Sequence, residues 1–274
     1  MSGILYVVGT PIGNLGDISP RALDTLEKCD FIAAEDTRVS LKLLNHFGIK
    51  KPMISYFEHN KFERGPVIAE KLLSGENGVI ITDAGMPAIS DPGEDLVKLC
   101  IDKGIKVEAV PGPCAFATAL AVSGMPSRRF TFEGFLPVEK NERKYIINSL
   151  VNEERTMIFY EAPHKLAATL SDLAAALGDR EIAIVRELTK IHEQVIKTTL
   201  CTAAEKYSQE QLKGEIVLII SGAPRKETEE MTLEQAVAYA NGLIAEGESK
   251  TSAAKIAAKE SGFKKGDIYK FLVD

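Results

Sequence analysis

Cysteine and histidine are both scarce in this 274-residue chain, which carries four of each. Cys29, Cys100, Cys114 and Cys201 stand alone, without a C-x-x-C pair. A disulfide framework would be unusual at this length, and free thiols in a reducing compartment are expected. His46, His59, His164 and His192 form no H-E-x-x-H or other paired-ligand spacing, so no metal site is expected. Positive charge is not in excess either. The formal net charge is −6, which excludes a global basic field of the kind that holds nucleic acid by charge alone, though a local basic groove stays open. No apolar run approaches the roughly 20 residues of a membrane span. The first run, residues 4–8, is too short for a signal peptide and lacks a basic flank. A cytoplasmic protein with no membrane contact is the expectation.

Two nucleotide signatures are missing as well. Gly9, Gly13 and Gly16 follow the first apolar run at the wrong spacing for G-x-G-x-x-G, and no glycine loop leads into Lys-Ser or Lys-Thr. Pro11 sits inside that first loop and leaves little of the N–H cradle that a pyrophosphate needs. NAD and ATP are therefore not the expected ligands.

The residues that are present describe an ordinary globular protein, 45% hydrophobic and 26% charged. Apolar runs at 4–8, 31–34, 79–82, 106–110, 157–160, 182–185 and 216–220 read as strands. Helical spacing over 20–28, 67–73, 94–103 and 166–177 alternates with them, which predicts an α/β class with mostly parallel pairing. Residues 123–141 change texture, with proline, glycine and aromatics and little periodicity, and read as a linker. The expected organisation is an N-terminal α/β lobe over 1–123, a second over 124–225 and a helical tail over 226–274. Charge is segregated in that tail: 226–248 holds one Lys against six Glu, and 249–274 holds six Lys against Glu260, Asp267 and Asp274. That lysine face is either solvated surface or a phosphate contact.

Three strand-to-loop transitions, at 7–16, 79–93 and 107–115, combine a β-branched run with glycine and proline. Buried strands emptying into such loops build pockets at their carboxyl ends. Gly85, Pro87, Pro92 and Gly93, and then Pro111, Gly112 and Pro113, would turn main-chain groups toward a neutral or zwitterionic ligand. Rigid turns are the alternative reading.

The motifs GTPIGNL, AAEDTR, DAGMPAISDPG, PGPCA, FYEAPH, RELTK and GEIVLII occur in this order from Gly9 to Ile220. Together they resemble the ribosomal RNA small-subunit methyltransferase I family of the tetrapyrrole-methylase superfamily. The resemblance implies a class III methyltransferase, two-lobed and tetrapyrrole-methylase-like, with a small C-terminal helical tail. It further implies S-adenosylmethionine in the cleft between the lobes, a homodimer, and 2′-O-methylation of a decoding-region cytidine of 16S rRNA in the small ribosomal subunit. The chain departs from the family's DAGTP pattern at one place, where Met86 stands for Thr.

By the same resemblance the cofactor-binding residues are Pro11, Asp83, Ala84, Gly85, Met86, Ile89, Cys114, Ala115, Tyr160, Glu161, Gly214, Glu215 and Ile216. Cys114 and Tyr160 also read as plain packing groups. A sulfonium methyl is already activated, so the protein must chiefly align the reactants and ease proton loss. Asp36 and Glu187 are the favoured bases, with Arg38 and Arg186 on phosphate or sugar and Glu161, Glu35, His164 and Lys190 as further candidates. Asp36 with Arg38, and Glu187 with Arg186, could equally be structural ion pairs. Arg128, Arg129, Lys140, Arg143, Lys144 and the tail lysines could form a local basic path for RNA. A tetrapyrrole-precursor methyltransferase and a non-catalytic RNA adaptor are the rival readings. AAEDTR and the lysine-bearing tail favour RNA over the first, and the strand-end carboxylates argue against the second.

Overall fold

The computed structural model describes residues 2–224 and 231–272. Its first half alternates strand and helix: β1 (Ile4–Val8), α1 (Pro20–Lys28), β2 (Phe31–Ala34), α2 (Thr37–His46), β3 (Met53–Ser55), α3 (Lys61–Leu73), β4 (Gly78–Ile81), α4 (Gly93–Asp102) and β5 (Lys106–Val110). The start of α1 shows why the sequence breaks where it does. The Ser19 hydroxyl accepts the Ala22 amide, Pro20 occupies the first turn, and Ala22 and Leu26 are buried. The five strands pair in parallel in the order β3-β2-β4-β1-β5. Helices cover both faces, so β2 and β4 are buried along their whole length, as their unbroken apolar runs require.

α5 (Ala115–Ser123) follows β5 and packs on a different sheet. Its sequence, AFATALAVS, is almost entirely apolar, the composition of a helix buried on most sides. Ala119 and Leu120 meet Ile158, Ala183, Val185, Val217 and Ile219 of the second sheet. That sheet contains β6 (Phe130–Phe135), β7 (Thr156–Glu161), β8 (Glu181–Arg186), β9 (Gln194–Thr199) and β10 (Ile216–Ile220), in the order β6-β7-β10-β8-β9. α6 (Lys140–Ser149), α7 (Leu166–Leu177) and α8 (Leu200–Gln209) cover its other face.

The expectation of mostly parallel pairing holds for the first sheet and fails for the second. Only β6 and β7 run parallel there; β7–β10, β10–β8 and β8–β9 are antiparallel. The segment read as a linker contains β6 and the first two residues of α6. β3, β6 and β9, which the apolar runs did not predict, are all edge strands. An edge strand has fewer neighbours and keeps polar, half-exposed residues, so it lacks the run that marks a central strand. β6 also shifts register between Phe132 and Gly134, which breaks its alternation.

Contacts group the chain into two compact units, the first ending at Ala223 and the second beginning at Pro224. Both sheets belong to the first. The second contains α9 (Leu233–Ala245), α10 (Lys250–Ser261) and α11 (Lys265–Tyr269) around Ala236, Ala240, Ala253, Ala254, Ala257, Ile268 and Leu272. Thr232 and Gln235 form a reciprocal cap at the start of α9. Gly262, at φ 76°, ends α10. The tail's charge segregation includes residues 226–230 and Asp274, which lie outside the described residues.

Arg180 is the buried cation that ties the second layer of helices together. Its Nη2 donates to the Val151 carbonyl (2.5 Å) just beyond α6, and its Nε to Leu177 (3.2 Å), the last residue of α7. Replacing Arg180 by Leu strands these carbonyls, and a buried unsatisfied group costs about 1–3 kcal/mol. Urea unfolding of R180L is expected to show a stability loss of about 2–4 kcal/mol. A change under about 0.5 kcal/mol, the range of a neutral surface substitution, would refute this role.

Candidate active site

The loops after β1, β4 and β5 are clamped together by backbone. A Cβ on Gly9 would stand 2.6 Å from the Cα of Gly112, and one on Gly112 would stand 2.7 Å from the Cα of Gly9. No side chain fits at either position. The next residue, Thr10, exchanges two main-chain hydrogen bonds with Gly85, at 2.9 and 3.1 Å, and its hydroxyl donates to the Thr82 carbonyl. Gly85 makes this bridge at φ 92°, a backbone setting open to glycine.

Beyond Gly85 the chain turns tightly, with Ala88 and Ser90 at φ 64° and 66°. Asp91 holds that turn by accepting the amides of Ala88 (3.0 Å) and Gly93 (2.7 Å). These amides therefore serve the loop itself, contrary to the expectation that the segment turns them toward a ligand. Met86 packs against the first core, its sulfur close to Gly9.

A cavity of about 470 Å3 opens between these loops and the ends of β7 and β10. The predicted residues Asp83, Ala84, Gly85, Met86, Ile89, Cys114, Ala115, Tyr160, Glu161, Glu215 and Ile216 all line it. Pro11 does not line it; its neighbour Ile12 does. Gly214 is also off the wall. It sits at φ 92°, where an added Cβ would strike the Glu187 carboxylate. Sequence reasoning missed Thr82, Ser90, Asp91, Phe135, Val185, Leu188 and Val217 on the wall. Thr82, Val185 and Val217 lie in or just beyond predicted strands, which was an available signal. Phe135 was hidden in the supposed linker.

Of the candidate catalytic residues, Glu161 and Glu35 line the cavity, and neither favoured base does. Asp36, Arg38, Arg186 and Glu187 do not line it. Asp36 is the N-cap of α2 and takes a two-pronged bond from Arg38, at 3.0 and 2.6 Å. That pairing lowers its pKa to about 2. Glu187, at φ 50°, pairs with Lys190 (3.0 Å) and accepts the Glu215 amide. Lys190 holds Glu187 below its usual value. The alternative reading as ion pairs thus describes Asp36 with Arg38, while Glu187 takes Lys190 in place of Arg186. Both oxygens of Glu161 are engaged, one by the Ala162 amide and one by the Thr169 hydroxyl.

Five carboxylates line the cavity: Glu35, Asp83, Asp91, Glu161 and Glu215. No Lys, Arg or His lines it among the described residues. Burial pushes Asp83 up, with the Glu35 and Asp36 charges adding to the shift. Burial raises Tyr160 to about 12, and its hydroxyl accepts the Phe116 amide at the start of α5 (3.1 Å). The Cys114 thiol is also raised by burial, so it is a small neutral wall group and no nucleophile. Outside the cavity, Arg143 is committed to Asp172 (2.8 Å) and Thr169 (2.9 Å), whereas Arg128, Arg129, Lys140 and Lys144 are exposed.

Residues 4–204 match the Tetrapyrrole (Corrin/Porphyrin) Methylases family. The chain is 44% identical over 273 residues to "Ribosomal RNA small subunit methyltransferase I" of Synechocystis sp., covering 99% of this chain and 98% of the relative. The protein of that name from Thermotoga maritima is 47% identical over 220 residues, which span 80% of this chain and 99% of the relative. Among solved structures, uroporphyrin-III C-methyl transferase from Thermus thermophilus complexed with S-adenyl homocysteine shares the fold. Its TM-score is 0.57 at 16% identity, over 80% of this chain and 97% of that one. With its paired sheets, its loop-walled cavity and a match that runs nearly end to end, the chain belongs to the ribosomal RNA small subunit methyltransferase I family of the tetrapyrrole methylases.

Proposed function

We propose that this protein is an S-adenosylmethionine-dependent methyltransferase acting on the 2′-hydroxyl of a decoding-region cytidine in 16S rRNA. The observation that carries the reading is the near full-length identity to relatives named for the small-subunit rRNA reaction. The character of the cavity supports it. Its volume lies in the roughly 300–1,000 Å3 range of small-molecule sites. A wall with carboxylates and no cationic side chain suits a ligand bearing a sulfonium and an ammonium, and repels phosphate.

S-adenosylmethionine supplies an activated methyl group, which leaves alignment and proton removal to the protein. In this reading the backbone of Ala84, Gly85 and Met86, with Cys114 and Ala115, lets the ligand approach closely. Ile89, Tyr160 and Ile216 offer apolar surface, and Glu161 and Glu215 flank them. Pro11 and Gly214 act as supports behind the wall. Met86 contributes through packing, so the absence of a threonine hydroxyl there leaves the loop intact.

We assign RNA contact to the exposed Arg128, Arg129, Lys140 and Lys144 and to the tail, where Lys255, Lys259, Lys264 and Lys265 are exposed. A relative of the same name matches only 220 residues of this chain, so the tail is read as an affinity element added to a complete catalytic unit. A homodimer in the cytoplasm completes the proposal. The family resemblance supports the dimer, and the four free thiols support a reducing compartment.

Incubation with methyl-labelled S-adenosylmethionine and small ribosomal subunits, naked 16S rRNA or a porphyrinoid tests the reaction. Label on a cytidine ribose is expected; label on the tetrapyrrole would overturn the reading. Gly112→Ala is expected to weaken cofactor binding at least tenfold in equilibrium dialysis, because its methyl group meets the Gly9 backbone. Gly242→Ala in α9 meets nothing within 4 Å and should leave binding unchanged. Ending the chain at Ala223 is expected to weaken salt-sensitive RNA binding while sparing cofactor affinity. Unaltered RNA binding in that variant would remove the tail's assigned role.

A further inference from the structure

Transfer to a ribose hydroxyl releases a proton, and neither favoured base lines the cavity. The carboxylates on and around the wall divide clearly by what already occupies them. Asp36 is held by Arg38, and Glu187 by Lys190 and the Glu215 amide. Asp91 is taken up by the amides of its own loop, and Glu161 by Ala162 and Thr169. Glu215 is largely exposed and paired with Lys190 at 3.3 Å.

Two remain. Glu35 accepts the Thr82 hydroxyl through Oε2 (2.5 Å), and Asp83 accepts the Asp36 amide through Oδ1 (3.1 Å). Among the described residues, Glu35 Oε1 and Asp83 Oδ2 receive no hydrogen bond. Both residues lie on the wall, and Thr82 joins them along the chain, since it bonds Glu35 and precedes Asp83. Glu35 is half-buried and Asp83 reaches solvent.

We propose that Asp83, coupled to Glu35, is the proton acceptor for the methyl transfer. This rests on the rRNA methyltransferase reading above. As the ribose oxygen bonds to the methyl carbon, the carbon–sulfur bond breaks and its electron pair stays on sulfur. The hydroxyl proton passes to Asp83 Oδ2, and from that exposed carboxyl group it exchanges with water. Burial and the Glu35 charge raise the proton affinity of Asp83, which suits a base better than the low-pKa Asp36. The Glu35 charge contributes to the rise at Asp83, so removing it lowers the proton affinity of Asp83.

The test combines three measurements on full-length wild type, D83N and E35Q. Single-turnover methylation of small ribosomal subunits is followed against pH, cofactor affinity is measured by equilibrium dialysis, and side-chain carboxyl resonances of the ligand-free proteins are titrated by 13C NMR. Wild-type transfer is expected to rise with pH through the Asp83 titration. D83N is expected to lose roughly 100-fold or more in transfer at pH 7 while cofactor affinity changes less than tenfold. In E35Q the Asp83 resonance and the acid limb of the rate profile should move together to lower pH. Transfer by D83N within threefold of wild type, a loss matched by an equal loss of cofactor affinity, or an Asp83 titration unmoved in E35Q would each overturn the assignment. A wild-type protein that labels no ribose would instead overturn the reaction itself, and the assignment with it.

Discussion

Two glycines meet backbone to backbone at the base of the site, and the site depends on that contact. Gly9 and Gly112 bring the ends of β1 and β5 together with no side chain between them. Only with that contact made does Thr10 stand where it can bridge Gly85, which joins the loop after β4 to the other two. Three separate strand ends thereby become one wall. Because α5 starts three residues after Gly112, the same contact sets where the chain leaves the first sheet for the second.

The second sheet is held to that wall by packing and one well-placed polar contact. α5 presents an apolar surface to β7, β8 and β10, and Tyr160 accepts the Phe116 amide at its first turn. Phe132 stacks on Phe116 at 4.5 Å and Phe135 approaches Tyr160 at 5.4 Å, so the bulged edge strand β6 delivers an aromatic ring to the cavity. Charge is sorted by position: carboxylates face the cavity, while Arg38 and Lys190 stay outside it and engage acidic partners.

Central strands were legible in the sequence because burial on both faces demands continuous apolar residues; 4–8, 31–34 and 216–220 match the structure residue for residue, as does the edge strand at 106–110. The edge strands β3, β6 and β9 were not legible, because their half-exposed residues form no continuous apolar run. The loops of the site were readable from glycine and proline spacing. Which carboxylate faces inward was not. Glu35 and Asp36 are adjacent in AAEDTR, at the bend between β2 and α2. Asp36 becomes a helix cap while Glu35 turns to Thr82. Glu187 is diverted by a left-handed backbone, at φ 50°, that no periodicity announces.

The Asp91 turn has a thermodynamic meaning beyond its shape. Its carboxylate fixes a segment containing two left-handed residues, Ala88 and Ser90, before any small molecule arrives. The entropy of ordering this loop is thus a cost of folding and not of association. A ligand entering such a seat gives up its own freedom but asks little of the chain.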